Sequence, residues 1–363
     1  MNKKKIKIFF FNPYPNIGGA DTTIHRFINS INLKKYEVDY LTLEKNKKAF
    51  KRNINHIKLD TNSTFLSFFK IIKLIKKDNQ RQKIFFSMQY FTNIWTIIFI
   101  KLFLNIKVFI YEINHLDEFR HFKNLKQFFK KKIIIFLVKL LYRYADVIAG
   151  NSAELSKDLA KYINHNVKTI YNPCYSKITS RHKKYKKNTS INILNIARFD
   201  DQKDHITLLK AINELKIKKK INLTLIGYGP QENTILDFIK KNKIKAKILN
   251  KTKKLSNFYK QSNLFIFTSL YEGLPTTMVE AASYCLPIIS SNFKSGSKEI
   301  LQNGKGGYIF NLKDYKALSK LILKFYSDPR SFYRKEINCR KKIKTFSKKE
   351  NLKLFNKILI SMN

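Results

Sequence analysis

The stretch "NLFIFTSLYEGLPTTMVEAASYCLPIISSN" runs from Asn263 to Asn292. It opens on an apolar run too short for a helix, which reads as a buried strand. A Gly-Leu-Pro turn, a helical segment and a second apolar run follow. Strand, turn, helix and strand in this order form a parallel crossover unit. Glu272 and Glu280 stand on either side of the turn. They are the only acidic residues between Asp237 and Glu299, in a region crowded with lysine.

The same unit recurs along the chain. "KIKIFFFN", "YEVDYLTL", "KIFFSMQ" (83–89), "KVFIYEIN" (107–114), "ADVIAGNS" (145–152) and "VKTIYNP" (167–173) read as strands separated by helices, the first helix running from about Thr22 to Ser30. A polar, basic stretch, 174–190, lacks apolar periodicity and reads as a linker. The alternation then restarts with "INILNIARF", "INLTLIGYG", "AKILN", "NLFIFTSL" and "PIISSN". Continuous apolar strands between helices indicate parallel sheets covered on both faces. The predicted fold class is α/β: two Rossmann-like domains, 1–173 and 191–345, with parallel sheets facing a central cleft. A C-terminal helix at about 346–363 is expected to pack back on the first domain. Ligands of such sheets bind beyond the carboxyl ends of the strands.

The 363 residues are 44% hydrophobic, enough for two cores, and the formal net charge is +47. That charge suits an anionic partner: nucleic acid, an acidic membrane surface or a phosphorylated substrate. A/T-rich codon usage, which favours Lys, Asn, Ile, Phe and Tyr, explains the same charge without any partner. The bias makes exceptions legible. Ordinary usage of roughly 7% glycine implies about 25 in this length, and there are 10, clustered in a few loops. Cys174, Cys285 and Cys339 have no metal spacing and form no disulfide framework, which points to a reducing compartment. The basic start lacks a secretory signal pattern. The segment 91–111 is interrupted by Lys101 and Lys107 and reads as a buried helix running into a strand, not a membrane span.

In "EGLPTTMVE", Gly273 permits a tight turn and Pro275 suits the first turn of a helix. The N–H groups of Leu274, Thr276 and Thr277 then surround a helix N-terminus, which favours phosphate. A carboxylate accepts hydrogen bonds from vicinal hydroxyls. Two carboxylates beside an anion-binding turn therefore suit a nucleotide-sugar. A helix start made favourable by acidic residues accounts for either glutamate alone. In "ARFDDQKDH" (197–205), Arg198 is the only arginine between Arg181 and Arg330. Its planar fork suits a diphosphate, with Lys203 nearby; a surface salt bridge to Asp200, Asp201 or Asp204 is the plainer alternative. Gly227 in "GYGP" and the trio Gly18, Gly19, Ala20 in "NIGGAD" are weaker phosphate-loop signals.

This set, in this order, resembles the large retaining glycosyltransferase family numbered four, of the two-Rossmann GT-B fold, over nearly the whole chain. The strongest part is the glutamate–seven residues–glutamate motif. "ARFDDQKDHITLLKAI", "SGSKEILQNGKGGYIF", "GNSAELSKDL" and "VKTIYNP" match further segments. The family has glycine at the place of Cys285. The resemblance implies that 1–173 is the acceptor domain and 191–345 the donor domain. Glu280 would hold the nucleotide ribose and Glu272 the transferred sugar, while Arg198 and Lys203 neutralise the leaving diphosphate. The Gly19–Ala20 region would approach the phosphate, and His115 in "EINHLDE" would lie near the donor sugar. Asp21, Asp117 and Glu118 are candidates for orienting the acceptor. The cofactor expectation is none: a nucleoside-diphosphate-sugar as substrate, and no metal.

"FLSFFKIIKLIKK" (65–77) and "FKNLKQFFKKKIIIFLVKLLYR" (122–143) are basic and amphipathic, and the second has no acidic residue. Such helices suit an anionic bilayer; a helix with a solvated, codon-biased face is the plainer reading. The expected acceptor is a polyprenyl-diphosphate-linked saccharide or a lipopolysaccharide core, at the inner face of the cytoplasmic membrane. Competing readings are a basic membrane- or nucleic-acid-binding protein without catalysis, and an epimerase or phosphorylase on the same fold. No helix-turn-helix or aromatic RNA-binding motif supports a nucleic-acid partner.

Overall fold

The computed structural model describes residues 5–15, 18–44, 50, 54–80, 82–179, 185–250 and 255–362. The chain divides into two compact units, Met1–Pro173 with Lys349–Asn363, and Cys174–Lys348.

The first unit is built on seven parallel strands: β1 (Ile6–Phe11), β2 (Tyr36–Thr42), β3 (Asn55–Lys58), β4 (Lys83–Met88), β5 (Lys107–Glu112), β6 (Val147–Gly150) and β7 (Lys168–Thr169). They are ordered β3-β2-β1-β4-β5-β6-β7. Side chains of a strand alternate between faces, and here both faces are buried. Phe9 and Phe11 of β1 enter one apolar cluster, and Ile8 and Phe10 enter the other. Chain order reverses between β1 and β4, the switch point at which such sheets bind ligands. The helix after β1 is Gly18–Ser30, four residues earlier than the sequence suggests. Gly18 takes φ +65° and makes the entry turn itself, so Gly19 and Ala20 fall in the first turn of the helix.

The C-terminal helix Lys348–Ser361 completes one face of this sheet. The Phe355 ring stacks on Phe27 with centroids 4.2 Å apart and sits edge-on to Phe86 at 5.9 Å. The apolar segment around 91–111 is the helix Tyr90–Thr96, a π-helical turn Ile97–Leu102 and β5. Among the described residues, no helix is long and apolar enough to cross a membrane.

The second unit repeats the plan with six parallel strands: β8 (Ile191–Ile196), β9 (Ile221–Ile226), β10 (Ala246–Leu249), β11 (Leu264–Phe267), β12 (Ile288–Ser291) and β13 (Tyr308–Phe310). Their order is β10-β9-β8-β11-β12-β13, with the reversal between β8 and β11. The described part of 174–190 is folded into this unit. The Tyr185 ring stacks on Phe325 with centroids 5.0 Å apart, and Thr179 donates from N and Oγ1 to the Ser283 carbonyl. Residues 180–184 of that stretch lie outside the described residues.

Candidate active site

The loops that leave β8 and β11 flank the switch point of the second sheet, and they are tied together. The Leu270 amide donates to the Gln202 carbonyl at 2.8 Å. Gln202 Nε2 donates to the Tyr271 carbonyl at 2.7 Å, and Thr268 Oγ1 donates to the Lys203 carbonyl at 2.9 Å. These bonds set the position of two charged groups. Lys203 Nζ contacts Glu272 Oε1 directly, and the ammonium also lies over the Phe267 ring, 5.9 Å from its centroid.

Arg198 is placed differently. Its guanidinium is half-exposed, 2.9 Å from Asp200, and donates to Gln202 Oε1 at 3.2 Å. The plainer expectation, a salt bridge to a neighbouring aspartate, is therefore realised, while the fork stays open to solvent. Gly227 acts from behind. A Cβ there would stand 1.9 Å from the Ala197 carbonyl oxygen, so its role is to let the end of β9 pack against the Arg198 segment. The Phe199 amide, which donates to the Tyr228 carbonyl at 2.9 Å, closes that contact.

The helix after β11 is Thr276–Ser283, and Pro275 is its N-cap at φ −71°, ψ 102°. Proline thus stands one position before the first turn that the sequence suggests. Its carbonyl accepts from the Met278 amide at 3.1 Å. The first-turn amides without an intrahelical acceptor are those of Thr276 and Thr277; Leu274 precedes the cap and lies outside the helix. Gly273 has no positive φ; in the loop after β12, Ser295 and Gly296 do, at +67° and +97°. A Cβ on Gly296 would meet Pro275 Cδ at 2.6 Å and the Gly273 carbonyl at 2.7 Å, and Ser295 Oγ donates to that carbonyl at 3.0 Å. The turn is therefore pressed into shape by the next loop.

Glu280 follows on the same helix. Tyr259, fully buried, donates from its hydroxyl to Glu280 Oε2 at 3.1 Å. Burial, and then the Glu280 charge, push the Tyr259 phenol well above its ordinary pKa, so it remains a donor. Cys285, just past the helix, has φ +57° and is buried. This is the left-handed region, where glycine has no Cβ penalty.

In the first unit, His115 caps the short helix Leu116–Arg120. Its Nδ1 accepts from the Asp117 amide at 3.1 Å, which puts the ring proton on Nε2, 3.0 Å from Asp158 Oδ2. Both ring nitrogens are thus engaged inside the unit. Asp21 is buried in the helix after β1, where Asn12 Nδ2 approaches it at 3.4 Å. Burial raises the Glu118 carboxyl above its usual range, with Asn114 opposing. Asp117 pairs with Arg120 at 3.4 Å. Among the described residues, no group of three or more His, Cys, Asp or Glu side chains could hold a metal ion.

Sequence reasoning missed Gln202, Tyr259, Thr268 and Ser295. Gln202 lies four residues from Arg198, and that spacing is the only local signal among them. The others act across the fold and look like ordinary core or loop residues.

Residues 176–349 match the family model described as glycosyl transferases group 1. An uncharacterized glycosyltransferase of Methanocaldococcus jannaschii is 31% identical over 193 residues, 49% of this chain and 48% of that protein. The match therefore spans about half the length of that relative. A Campylobacter jejuni protein is 25% identical over 97% of this chain and 99% of its own length. Its name is GalNAc-alpha-(1->4)-GalNAc-alpha-(1->3)-diNAcBac-PP-undecaprenol alpha-1,4-N-acetyl-D-galactosaminyltransferase. Among solved structures, sucrose-phosphate synthase of Thermosynechococcus elongatus superposes with a TM-score of 0.81 at 14% identity, covering 99% of both chains. The fold is GT-B.

Proposed function

We propose that this chain, whose residues 176–349 match the family model of glycosyl transferases group 1, moves a sugar from a nucleoside-diphosphate-sugar to a saccharide acceptor with retention of anomeric configuration. The observation that carries the reading is the Lys203–Glu272 contact in the loops at the β8/β11 switch point. One cation and one carboxylate are fixed there together, close in sequence to the amides of Thr276 and Thr277. Lys203, Arg198 and those amides neutralise the diphosphate, while Glu272 accepts from hydroxyls of the transferred sugar and Glu280 from the ribose. Fixed positive groups facing a leaving diphosphate stabilise the charge that develops as the glycosidic bond breaks. The bond from C1 to the phosphate oxygen breaks, and a bond from C1 to the acceptor oxygen forms on the same face. The acceptor proton goes to the departing phosphate, so no protein nucleophile is needed. From the first unit we assign Gly18, Gly19 and Ala20 to the phosphate. The loop shaped by His115 is assigned to the sugar.

The name of the Campylobacter relative supports a lipid-linked saccharide as acceptor, hence a role in bacterial envelope polysaccharide or lipid-linked glycan assembly, at the inner face of the cytoplasmic membrane. Hexose and N-acetylhexosamine donors both fit this reading. The protein's own cations supply the charge, so chelation with EDTA is expected to leave turnover unchanged. The test is a panel of nucleotide-sugars scored by thermal shift and by hydrolysis. One nucleoside diphosphate is expected to raise Tm, and its sugar conjugates to be turned over. The reading fails if none does either, or if Glu272→Ala and Glu280→Ala both keep full activity.

A further inference from the structure

The helix Leu125–Leu141 has seventeen residues, LKQFFKKKIIIFLVKLL, of which eleven are apolar and five are lysine. Only Val138 and Leu141 are buried in it; Ile134 and Leu137 pack partly against the same core. That inward stripe accounts for four apolar residues. Five others, Leu125, Phe129, Ile133, Phe136 and Leu140, are exposed, from 44% to 73%. At about 3.6 residues per turn these five fall within an arc of about 80° on the outer side of the helix. The same geometry puts Lys126 and Lys130 along one edge of the arc and Lys132 and Lys139 along the other. Lys131 points elsewhere: its Nζ donates to the Glu118 carbonyl at 2.6 Å.

The surface continues beyond the helix. Lys130 Nζ lies over the Phe91 ring at 5.5 Å, and Phe91 meets Trp95 at 6.1 Å. Trp95 meets Phe65 at 4.7 Å, and Phe65 meets Phe69 at 5.7 Å. Phe69 and Phe91 are themselves exposed. An exposed apolar band on a folded unit, here joined to the helix through Lys130, marks an interaction surface.

We propose that this face of the first unit docks on an anionic lipid bilayer, with the five apolar side chains in the acyl boundary and the four flanking lysines at the headgroups. The charge pattern selects this occupant. An exposed apolar face edged by lysine matches the acyl boundary with its apolar side chains and the headgroups with its cations, and each lysine near an anionic leaflet adds attraction. A second copy seated face to face would bring these lysines against their own counterparts, with no acidic residue in the helix to offset them. The docked face stands independently of the glycosyl-transfer reading, because its observations are confined to the first unit.

The test is flotation of the full chain with vesicles of phosphatidylcholine alone and of phosphatidylcholine with phosphatidylglycerol, without any nucleotide-sugar. The wild type is expected to float with the anionic vesicles and weakly with the neutral ones. The variant Phe129→Ser/Ile133→Ser/Phe136→Ser alters only exposed side chains and is expected to lower vesicle affinity at least tenfold. Lys126→Gln/Lys130→Gln/Lys132→Gln/Lys139→Gln is expected to lower it by a similar factor while both variants keep the wild-type thermal midpoint. Undiminished binding by both variants overturns the proposal, because the remaining surface charge then suffices. A wild type that is dimeric in solution and made monomeric by the serine variant also overturns it, in favour of a second copy. Should the serine variant misfold, the lysine variant decides alone. Nucleotide-sugar turnover is a separate measurement, so its loss or retention leaves this result standing.

Discussion

Lys203 and Glu272, 69 residues apart in sequence, form an ion pair whose side chains are only 12% and 10% exposed. Removing one partner leaves the other poorly solvated, which costs more than the pair contributes. Lys203→Ala is expected to lower turnover by about 10²–10³-fold, the effect of losing one fixed group facing developing charge. It is also expected to lower stability by about 3–5 kcal/mol. The double variant Lys203→Ala/Glu272→Ala should be more stable than the sum of the single losses by about 1–3 kcal/mol. Urea unfolding of the four proteins measures this coupling, and additivity within about 0.3 kcal/mol would show that the pair is not an energetic unit.

Tyr259 holds Glu280 through its hydroxyl at 3.1 Å while its ring stacks on Tyr284, centroids 5.0 Å apart. Tyr259→Phe keeps the ring and deletes the bond. A carboxylate that loses one positioning hydrogen bond loses roughly 1 kcal/mol of organised binding, which is about fivefold in affinity. Nucleoside diphosphate should therefore bind about fivefold more weakly. The rate at saturating donor should change by less than about threefold, since we assign Glu280 to the ribose and not to the reacting bond. A large loss of kcat with unchanged affinity would place Tyr259 elsewhere in the mechanism.

His205 is buried, and among the described residues neither ring nitrogen has a hydrogen-bond partner. Burial first, and then the Lys203 charge, push its pKa down to about 3 from 6.5. Between those values the unfolded chain binds a proton that the folded chain refuses. The stability present above about pH 6.5 is therefore lost as pH falls towards 3, by on the order of 5 kcal/mol over the whole window. His205→Leu should flatten that slope. Unfolding free energies at pH 7, 5.5 and 4.5 test it, and a parallel pH dependence in parent and variant would rule His205 out as the cause.

Glu112, at the end of β5, has the opposite sign. Burial raises its carboxyl well above the ordinary range, against hydrogen bonds from Tyr142 and Asn93. A raised carboxyl stabilises the fold fully below about pH 4.5 and progressively less as pH rises. Glu112→Gln keeps an oxygen to accept from Tyr142 and from Asn93, which now stands at 2.7 Å, and carries no proton to lose. Its stability relative to the parent should rise from pH 5 to pH 8. A relative stability that falls over that range would show that Glu112 folds in as a carboxylate.

The alternation of strands was legible because parallel strands buried on both faces must be apolar throughout, as in "IKIFFF". Glu272 and Glu280 stood out because they are isolated acids in a lysine-rich region. The turn between them was legible in composition but not in geometry. The close packing that shapes it comes from Gly296, in another loop, and no local pattern announces a contact 23 positions away. Gln202, Thr268 and Tyr259 were hidden for the same reason, since their bonds span 69, 65 and 21 residues. The spacing of His115 likewise says nothing of Asp158, 43 residues on, which engages its ring.

Cys285 is the place where the resembled family has glycine, and its φ of +57° supplies the reason. A Cβ in the left-handed region costs on the order of 1–2 kcal/mol. Here the thiol returns part of that, donating to the Thr179 carbonyl at 3.1 Å from a buried position. Cys285→Gly removes the strain together with the thiol contact, and the two nearly cancel. Stability should stay within about 1 kcal/mol of the parent. Cys285→Val keeps the strain and adds a branch at Cβ, which this region excludes, so it should cost at least about 2 kcal/mol. The glycine and valine variants therefore bracket the parent unequally, and thermal unfolding of the three proteins reads the asymmetry. Equal losses in both would mean that the thiol's packing, and not the backbone, sets the residue at this position.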